Sequence, residues 1–183
     1  MRFYEDIEIG EEFQSESYTV REQEIIDFAL QFDPRAIHTD VQAGLESEFG
    51  GLIASGIHIM ALWRKLEFPI TEQTATVCGL GCDEMRLEQP LYANDTIYVE
   101  QQPMAKRRSK SLADRGIVQY ESKVINQDGR VILLLKNSSL IESRVWHLLG
   151  CAAYSDPKEP KLKTNTLSNL DSRHRYSHHG HCD

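Results

Sequence analysis

The sequence predicts an α+β fold in which a curved antiparallel sheet wraps around one buried helix. Residues 55–66 form a segment that is apolar on nearly all sides, which is typical of a buried helix. Four extended segments follow it, and the last two flank a hairpin turn signal at residues 127–129. The stretch VILLL at residues 131–135 is continuously apolar, as expected for a strand that is covered on both faces.

The segments before the buried helix predict a strand and two helices. Residues 12–20 alternate between polar and apolar side chains, which indicates a strand. Thr19 is placed to cap a helix over Glu22–Phe32, whose apolar residues share one face. This helix is expected to end at Asp33, because a residue that precedes proline avoids the helical region. A second, short helix is predicted after Asp40.

The four extended segments after the buried helix predict the main strands of the sheet. They are Thr74–Arg86, Thr96–Arg107, Gly116–Asn126 and Arg130–Ser143. Cys78 and Cys82 share one face of the first strand, because their spacing is even. Both are expected to be buried small apolar residues.

Composition predicts one domain followed by a tail. The chain has 183 residues, and residues 1–145 carry regular apolar patterning, so they are predicted to form a single domain. Residues 146–183 are polar and show no sustained period, which predicts a disordered tail. Four of the seven histidines fall in the last ten residues. A flexible, accidental cluster explains them better than a metal site, so no metal is predicted.

Charge and cysteine content exclude several classes of protein. The formal net charge is -8, which argues against a nucleic-acid binder. No segment is long enough to span a bilayer, and the acidic start MRFYEDIEIGEEF lacks the features of a signal peptide. The four cysteines show no disulfide framework and no zinc-binding pair. A cytoplasmic protein with reduced thiols is therefore expected.

Two local features could carry chemistry. Asp33 and His38 lie five residues apart in a predicted loop, and such a pair suits acid–base catalysis. The alternative is a turn at Asp33 with a surface histidine. Ser55 suits the cap of the buried helix, which leaves the N–H of Gly56 free to bind a developing oxyanion. The alternative is that glycine allows close packing against the sheet. His58 is expected to be a core histidine.

Taken together, these two features resemble a known family. The segments FDPRAIHTD at residues 32–40 and FGGLIASG at residues 49–56 are similar to motifs of the MaoC-like dehydratases, the (R)-specific enoyl-CoA hydratases of hotdog fold. DEMRLEQPLYANDTIYVE at residues 83–100 and RGIVQYESKVINQDGRVILLL at residues 115–135 look like later parts of the same domain. The resemblance covers residues 1 to about 144, in order.

The resemblance implies a hydro-lyase that adds water reversibly across the 2,3 double bond of an enoyl thioester. Asp33 and His38 would hold the water, and the Gly56 N–H would bind the thioester carbonyl oxygen. Ile53 and Ser55 would line the substrate site. The resemblance also implies an acyl-CoA substrate in fatty acid metabolism and a homodimer, and the reaction needs no cofactor. The sequence departs from the family's motifs at two places: Arg35 and Ala36 replace its Asn-Pro pair, and Ser55 replaces its second-motif histidine.

Coenzyme A is anionic and this chain is acidic, so local cations are expected to meet its phosphates. The densest basic run supplies the candidates Lys106, Arg107 and Arg108, whose alternative role is a solvated strand end. Replacement of the Asn-Pro pair leaves open a non-catalytic acyl-CoA-binding or regulatory module. A hotdog thioesterase is a third interpretation, and it would need a carboxylate near the central helix, where Glu67 is the nearest acid.

Overall fold

The computed structural model describes residues 1–144, which contain one sheet and four α-helices. The helices are α1 (Glu22–Phe32), α2 (Ala36–Thr39), α3 (Val41–Glu46) and α4 (Gly56–Thr71), and a 3-10 turn covers Tyr4–Asp6. The strands are β1 (Phe13–Gln14), β2 (Tyr18–Thr19), β3 (Thr76–Leu87), β4 (Thr96–Arg108), β5 (Arg115–Asn126) and β6 (Val131–Glu142). The predicted tail and its histidine cluster lie outside the described residues.

All strand pairs in the sheet are antiparallel, and the strand order is β1-β4-β5-β6-β3, with β2 also pairing with β4. The predicted hairpin connects β5 to β6. The N–H of Asn126 donates to the carbonyl of Arg130 (3.0 Å), and Gly129 has a φ of 74°, which favours glycine. This hairpin places the apolar residues of β6 in the middle of the sheet.

Helix α4 packs one face against the sheet, as the predicted architecture requires. Ile59 and Leu62 share a buried cluster with Val99, Val124 and Leu133 from the central strands. Burying a side chain of this size contributes roughly 1.5–3 kcal/mol, so this cluster supplies much of the folding energy. The opposite face of α4 is not covered within residues 1–144. It contains two half-exposed apolar residues, Ile57 and Phe68.

Three local predictions differ from the structure. The strand expected at residues 12–20 is split into β1 and β2, because Ser15 between them bonds to Val99 through both its N–H and its hydroxyl oxygen (2.9 Å each). Thr19 does not cap α1: its hydroxyl is 2.8 Å from that of Thr96, and the cap position is occupied by Arg21. Helix α4 is longer than predicted and continues through Pro69.

Cys78 and Cys82 are exposed, so the prediction that they are buried is wrong. Strand β3 lies at the edge of the sheet and pairs with β6 alone among the described strands. Its register shifts at three places, including the step from Gly79 to Gly81. An edge strand with bulges covers less of its own surface than a central strand, which explains the exposed thiols.

The N-terminal segment is held against the far end of β4. The ammonium of Lys106 donates to the carbonyl of Ile7 (2.5 Å), and Arg108 forms a 2.7 Å ion pair with Glu5. Burial alone would raise the pKa of Glu5, but hydrogen bonds from the Ser143 hydroxyl and the Arg144 N–H bring it to about 2. No helix in residues 1–144 is long and apolar enough to cross a membrane.

Candidate active site

Asp33 is positioned by the end of helix α1. Its backbone N–H donates to the carbonyl of Ala29 (2.9 Å), and its own carbonyl accepts from the N–H of Arg35 (2.8 Å). These two bonds hold the backbone on both sides of the side chain. The carboxylate is 22% exposed, and its Oδ1 lies 3.1 Å from Nε of Arg35. Oδ2 takes no part in this ion pair and faces His38 instead.

His38 lies on the short helix α2, which sequence patterning did not predict. Its ring is buried, and Nδ1 lies 2.8 Å from the carbonyl oxygen of Ile53. Because a carbonyl only accepts, Nδ1 carries the proton of the neutral ring. Nε2 is then an acceptor, and it faces Oδ2 of Asp33 at 3.8 Å. Two acceptors at this separation are suited to a bridging water that donates to both.

Gly56 is the first residue of helix α4, and the chain before it is held in an extended conformation. The N–H of Ala54 donates to the carbonyl of Leu91 (2.8 Å), and the Ser55 hydroxyl caps the helix by accepting from the N–H of His58 (3.3 Å). The Gly56 N–H has no hydrogen-bond acceptor within residues 1–144. It lies at the positive end of the α4 dipole, where an anionic oxygen is stabilised.

The bond from His38 to Ile53 brings the two features together. Ile53 precedes Gly56 by three residues, and three residues of extended chain span at most about 10 Å. The short segment that leads into the helix terminus is thus tied to the histidine of the pair. The predicted substrate contacts Ile53 and Ser55 are both buried. The backbone carbonyl of Ile53 holds the ring of His38, and the hydroxyl of Ser55 caps α4.

The predicted basic residues are not brought to this site within one chain. Lys106 and Arg108 contact the N-terminal segment, and Arg107 makes no ion pair or side-chain hydrogen bond within residues 1–144. The cation that contacts Asp33 is Arg35, which sequence reasoning treated only as a departure from the family motif. The described residues contain no group of three or more His, Cys, Asp or Glu side chains placed to hold a metal ion.

The buried position expected for His58 is confirmed, but its Nδ1 has no hydrogen-bond partner within residues 1–144. Its ring stacks on Phe28 with a centroid separation of 4.3 Å, and its Nε2 lies 3.9 Å from a carboxylate oxygen of Glu24. Burial lowers the pKa of His58, and this effect outweighs the attraction of Glu24. His58 is therefore neutral at neutral pH and helps to pack α1 against α4.

Comparisons with known proteins identify relatives of this chain. Residues 6–124 match the family model described as "MaoC like domain". The chain is 34% identical to a MaoC-like dehydratase from Rhodospirillum rubrum, whose crystal structure superposes with a TM-score of 0.73 over 78% of this chain and 97% of that one. It is 27% identical to the uncharacterized protein YdeM of Bacillus subtilis strain 168, over 72% of this chain and 97% of the relative.

A more distant structure supports the fold alone. The (R)-hydratase from A. caviae involved in PHA biosynthesis is 19% identical and superposes with a TM-score of 0.62, covering 75% of this chain and 98% of that one. The predicted hotdog architecture, an antiparallel sheet around a central helix, is confirmed by these neighbours.

We expect His58 to make folding stability fall as the pH is lowered below about 6.5. The unfolded chain binds a proton at the ordinary pKa of histidine, whereas the folded chain, whose pKa is lowered, binds it only at a lower pH. The free energy of unfolding should drop by up to about 1.4 kcal/mol per pH unit in this window. In a His58→Leu variant this part of the pH dependence should disappear. Urea unfolding of both proteins at about pH 7.5 and about pH 5.5 measures it. Equal pH dependence in the two proteins would contradict the assignment.

Proposed function

The chain belongs to the MaoC-like domain family, and from this premise we propose that it is an acyl dehydratase of the enoyl-CoA hydratase type. It adds water reversibly across the 2,3 double bond of an enoyl thioester and gives a 3-hydroxyacyl thioester. The observation that carries the proposal is Nε2 of His38 facing Oδ2 of Asp33 at 3.8 Å while Nδ1 contacts the carbonyl of Ile53. Because this tautomer presents two acceptors to a single water, the pair can orient and deprotonate it.

In the hydration direction, the water would donate one hydrogen bond to Asp33 and one to His38. This orientation leaves an oxygen lone pair free to attack the β-carbon. As the C–O bond forms, one water proton passes to the pair and the double-bond electrons move onto the thioester. A proton returned from the pair to the α-carbon then completes the addition, so protons balance. Asp33 is the main acid/base and His38 its partner.

Negative charge gathers on the thioester carbonyl oxygen during this step. The Gly56 N–H, at the N-terminus of α4, would donate to that oxygen, and the helix dipole favours the charge. Arg35 contributes by holding Oδ1 of Asp33, which fixes Oδ2 toward His38. For the anionic coenzyme A moiety, Lys106, Arg107 and Arg108 stay predicted contacts. A cytoplasmic location likewise stays a prediction.

The exposed edge of β3 supports the proposal of a homodimer. Its free edge carries 12 residues of backbone that pair with no other strand in residues 1–144. The strand also exposes large apolar side chains, including Val77 and Leu80, at 41% and 49%. A long apolar edge of this kind is normally covered in a native protein, and a second copy of this chain can cover it by extending the sheet.

Substituting either member of the pair tests the hydratase. We expect Asp33→Asn and His38→Gln each to reduce kcat with crotonyl-CoA by about a hundredfold or more, because each replaces a group that can take a proton from the water by an amide that cannot. The loss of enoyl-thioester absorbance measures the rate. Asp27→Asn, an exposed position on the same helix, is the matched control and should retain full activity. Unchanged rates in the two site variants would remove them from the mechanism. If the unsubstituted protein binds acyl-CoA without turnover, a non-catalytic acyl-CoA-binding module replaces the hydratase.

Gly56 offers a test of the oxyanion contact that leaves the helix intact. Proline suits the first helical position, and Ser55 before it is already extended (φ -69°, ψ 155°). Gly56→Pro removes the N–H and should lower kcat by about a hundredfold. Gly56→Ala is the control, because it also adds a carbon beside the flexible end of Leu87 but keeps the N–H. The added Cβ would lie 2.8 Å from Cδ1 of Leu87. Equal losses in the two variants would show that packing, not the N–H, matters.

Sedimentation velocity tests the homodimer. The unsubstituted protein should sediment as a dimer at micromolar concentration, and Leu80→Glu should convert it to a monomer because it places a charge on the apolar edge. The matched control is Leu30→Glu, since Leu30 is 62% exposed but lies on α1. A monomeric unsubstituted protein, or a variant that stays dimeric, would contradict assembly through β3.

A further inference from the structure

The two members of the Asp33–His38 pair are held by different attachments. The ring of His38 is held by the backbone carbonyl of Ile53. Asp33 is held by α1, because its backbone N–H donates to the carbonyl of Ala29 in the last turn of that helix (2.9 Å). A sideways displacement of α1 would therefore move the Asp33 carboxylate relative to the His38 ring. The 3.8 Å between Oδ2 and Nε2 thus depends on the contacts that hold α1 in place.

An aromatic row of three rings, Phe32, Phe28 and His58, joins the end of α1 to the first turn of α4. The ring centroids of Phe32 and Phe28 are 4.8 Å apart. The ring of Phe28 stacks on that of His58 at 4.3 Å, with an angle of 7° between the two planes. Phe32 directly precedes Asp33, and His58 follows Gly56 by two residues. The aromatic row therefore connects the residue before the carboxylate to the turn that carries the proposed oxyanion contact.

The ring of His58 has a second contact with α1. Its Nε2 lies 3.9 Å from one carboxylate oxygen of Glu24, and the other oxygen of Glu24 accepts from the hydroxyl of Tyr18 (2.7 Å). The backbone N–H of His58 also donates to the capping hydroxyl of Ser55 (3.3 Å). The face of the ring is thus held by Phe28, its edge by Glu24, and its backbone by the helix cap.

An imidazole is a costly side chain with which to fill this space. His58 is 2% exposed, and its Nδ1 has no hydrogen-bond partner within residues 1–144. Because a buried polar atom without a partner costs free energy, an apolar side chain of similar size would fill the same space more stably. Local departures from stability of this kind are expected at positions that serve function. An aliphatic side chain, however, could not supply both the flat face toward Phe28 and the polar edge toward Glu24.

We propose that His58 is a positioning residue for the hydration step: through Phe28 it holds α1 at the spacing that keeps Asp33 opposite His38. The inference rests on the proposed hydratase for its reaction. It goes beyond that function because it assigns part of the rate to a side chain that contacts neither the water nor the thioester. The expected effect is large, since a displacement of about 1 Å at a catalytic group can lower a rate about a hundredfold.

Two substitutions break the stack from opposite sides. We expect His58→Leu and Phe28→Leu each to lower kcat with crotonyl-CoA by at least about tenfold. KM should change by less than about twofold, because the groups that bind the substrate remain in place. The double variant should lose no more than either single variant, because both substitutions act through one contact. His58→Phe, which keeps an aromatic face toward Phe28, should recover most of kcat.

Val118→Ala is the matched control for a loss of core packing. Val118 is fully buried but lies on β5, in a separate apolar cluster with Tyr4 and Ile7. This substitution should lower the melting temperature and leave kcat unchanged. Thermal unfolding of each variant shows whether it is folded at the assay temperature. If His58→Leu is not folded, the comparison of Phe28→Leu with His58→Phe and Val118→Ala decides the matter.

A measurement without turnover separates this inference from the proposed function. The NMR resonances of the His38 ring, identified by their absence from His38→Gln, report the position of the neighbouring carboxylate. They should shift in both leucine variants and stay unchanged in Val118→Ala. No hydration by the unsubstituted protein, together with shifted His38 resonances in the leucine variants, would reject the hydratase and retain the positioning role. Unchanged kcat and resonances in both leucine variants, or additive losses in the double variant, would overturn it.

Discussion

The hydrogen bond between Nδ1 of His38 and the carbonyl of Ile53, 2.8 Å long and buried, joins the two halves of the candidate site. It connects the helix that follows Asp33 to the segment that leads into Gly56. It also sets the protonation of the ring, because the carbonyl can only accept. Without it, Nε2 would have no fixed orientation toward Asp33, and the pair could not present two acceptors to one water. The proposed chemistry therefore depends on a backbone carbonyl that carries no catalytic group of its own.

Helix α4 places polar groups at both ends of an apolar contact. Its buried face packs on the central strands through Ile59 and Leu62, its N-terminus is the proposed partner of the reacting carbonyl, and its C-terminal half carries Glu67. Burying a carboxylate is costly unless it is paired, and Arg64 and Gln101 supply the partners. The buried charge of Glu67 is thus compensated by partners within residues 1–144.

Patterns that depend on local sequence predicted the structure best. Helix α1 occupies the predicted residues, and the β5–β6 hairpin follows its turn signal, because helix periodicity and turn chemistry act over a few residues. The five-residue spacing of Asp33 and His38 indicated the pair, but not the buried helical position of His38 or its bond to Ile53. That bond links residues fifteen positions apart, and no local pattern reports such a contact.

The failures have the same origin in long-range contacts. Cys78 and Cys82 looked buried because even spacing defines a face but not which face is covered, and the place of β3 at the sheet edge depends on pairing with β6. The choice between a hydratase and a thioesterase also depends on long-range contacts that a local sequence pattern does not report. Glu67 is the acid that sequence order offers to the thioesterase, but its two oxygens are bound by Arg64 and Gln101, about 16 Å along α4 from Gly56. The carboxylate that faces a ring nitrogen of a buried histidine is Asp33, so the proposed water activation is assigned to the Asp33–His38 pair rather than to Glu67.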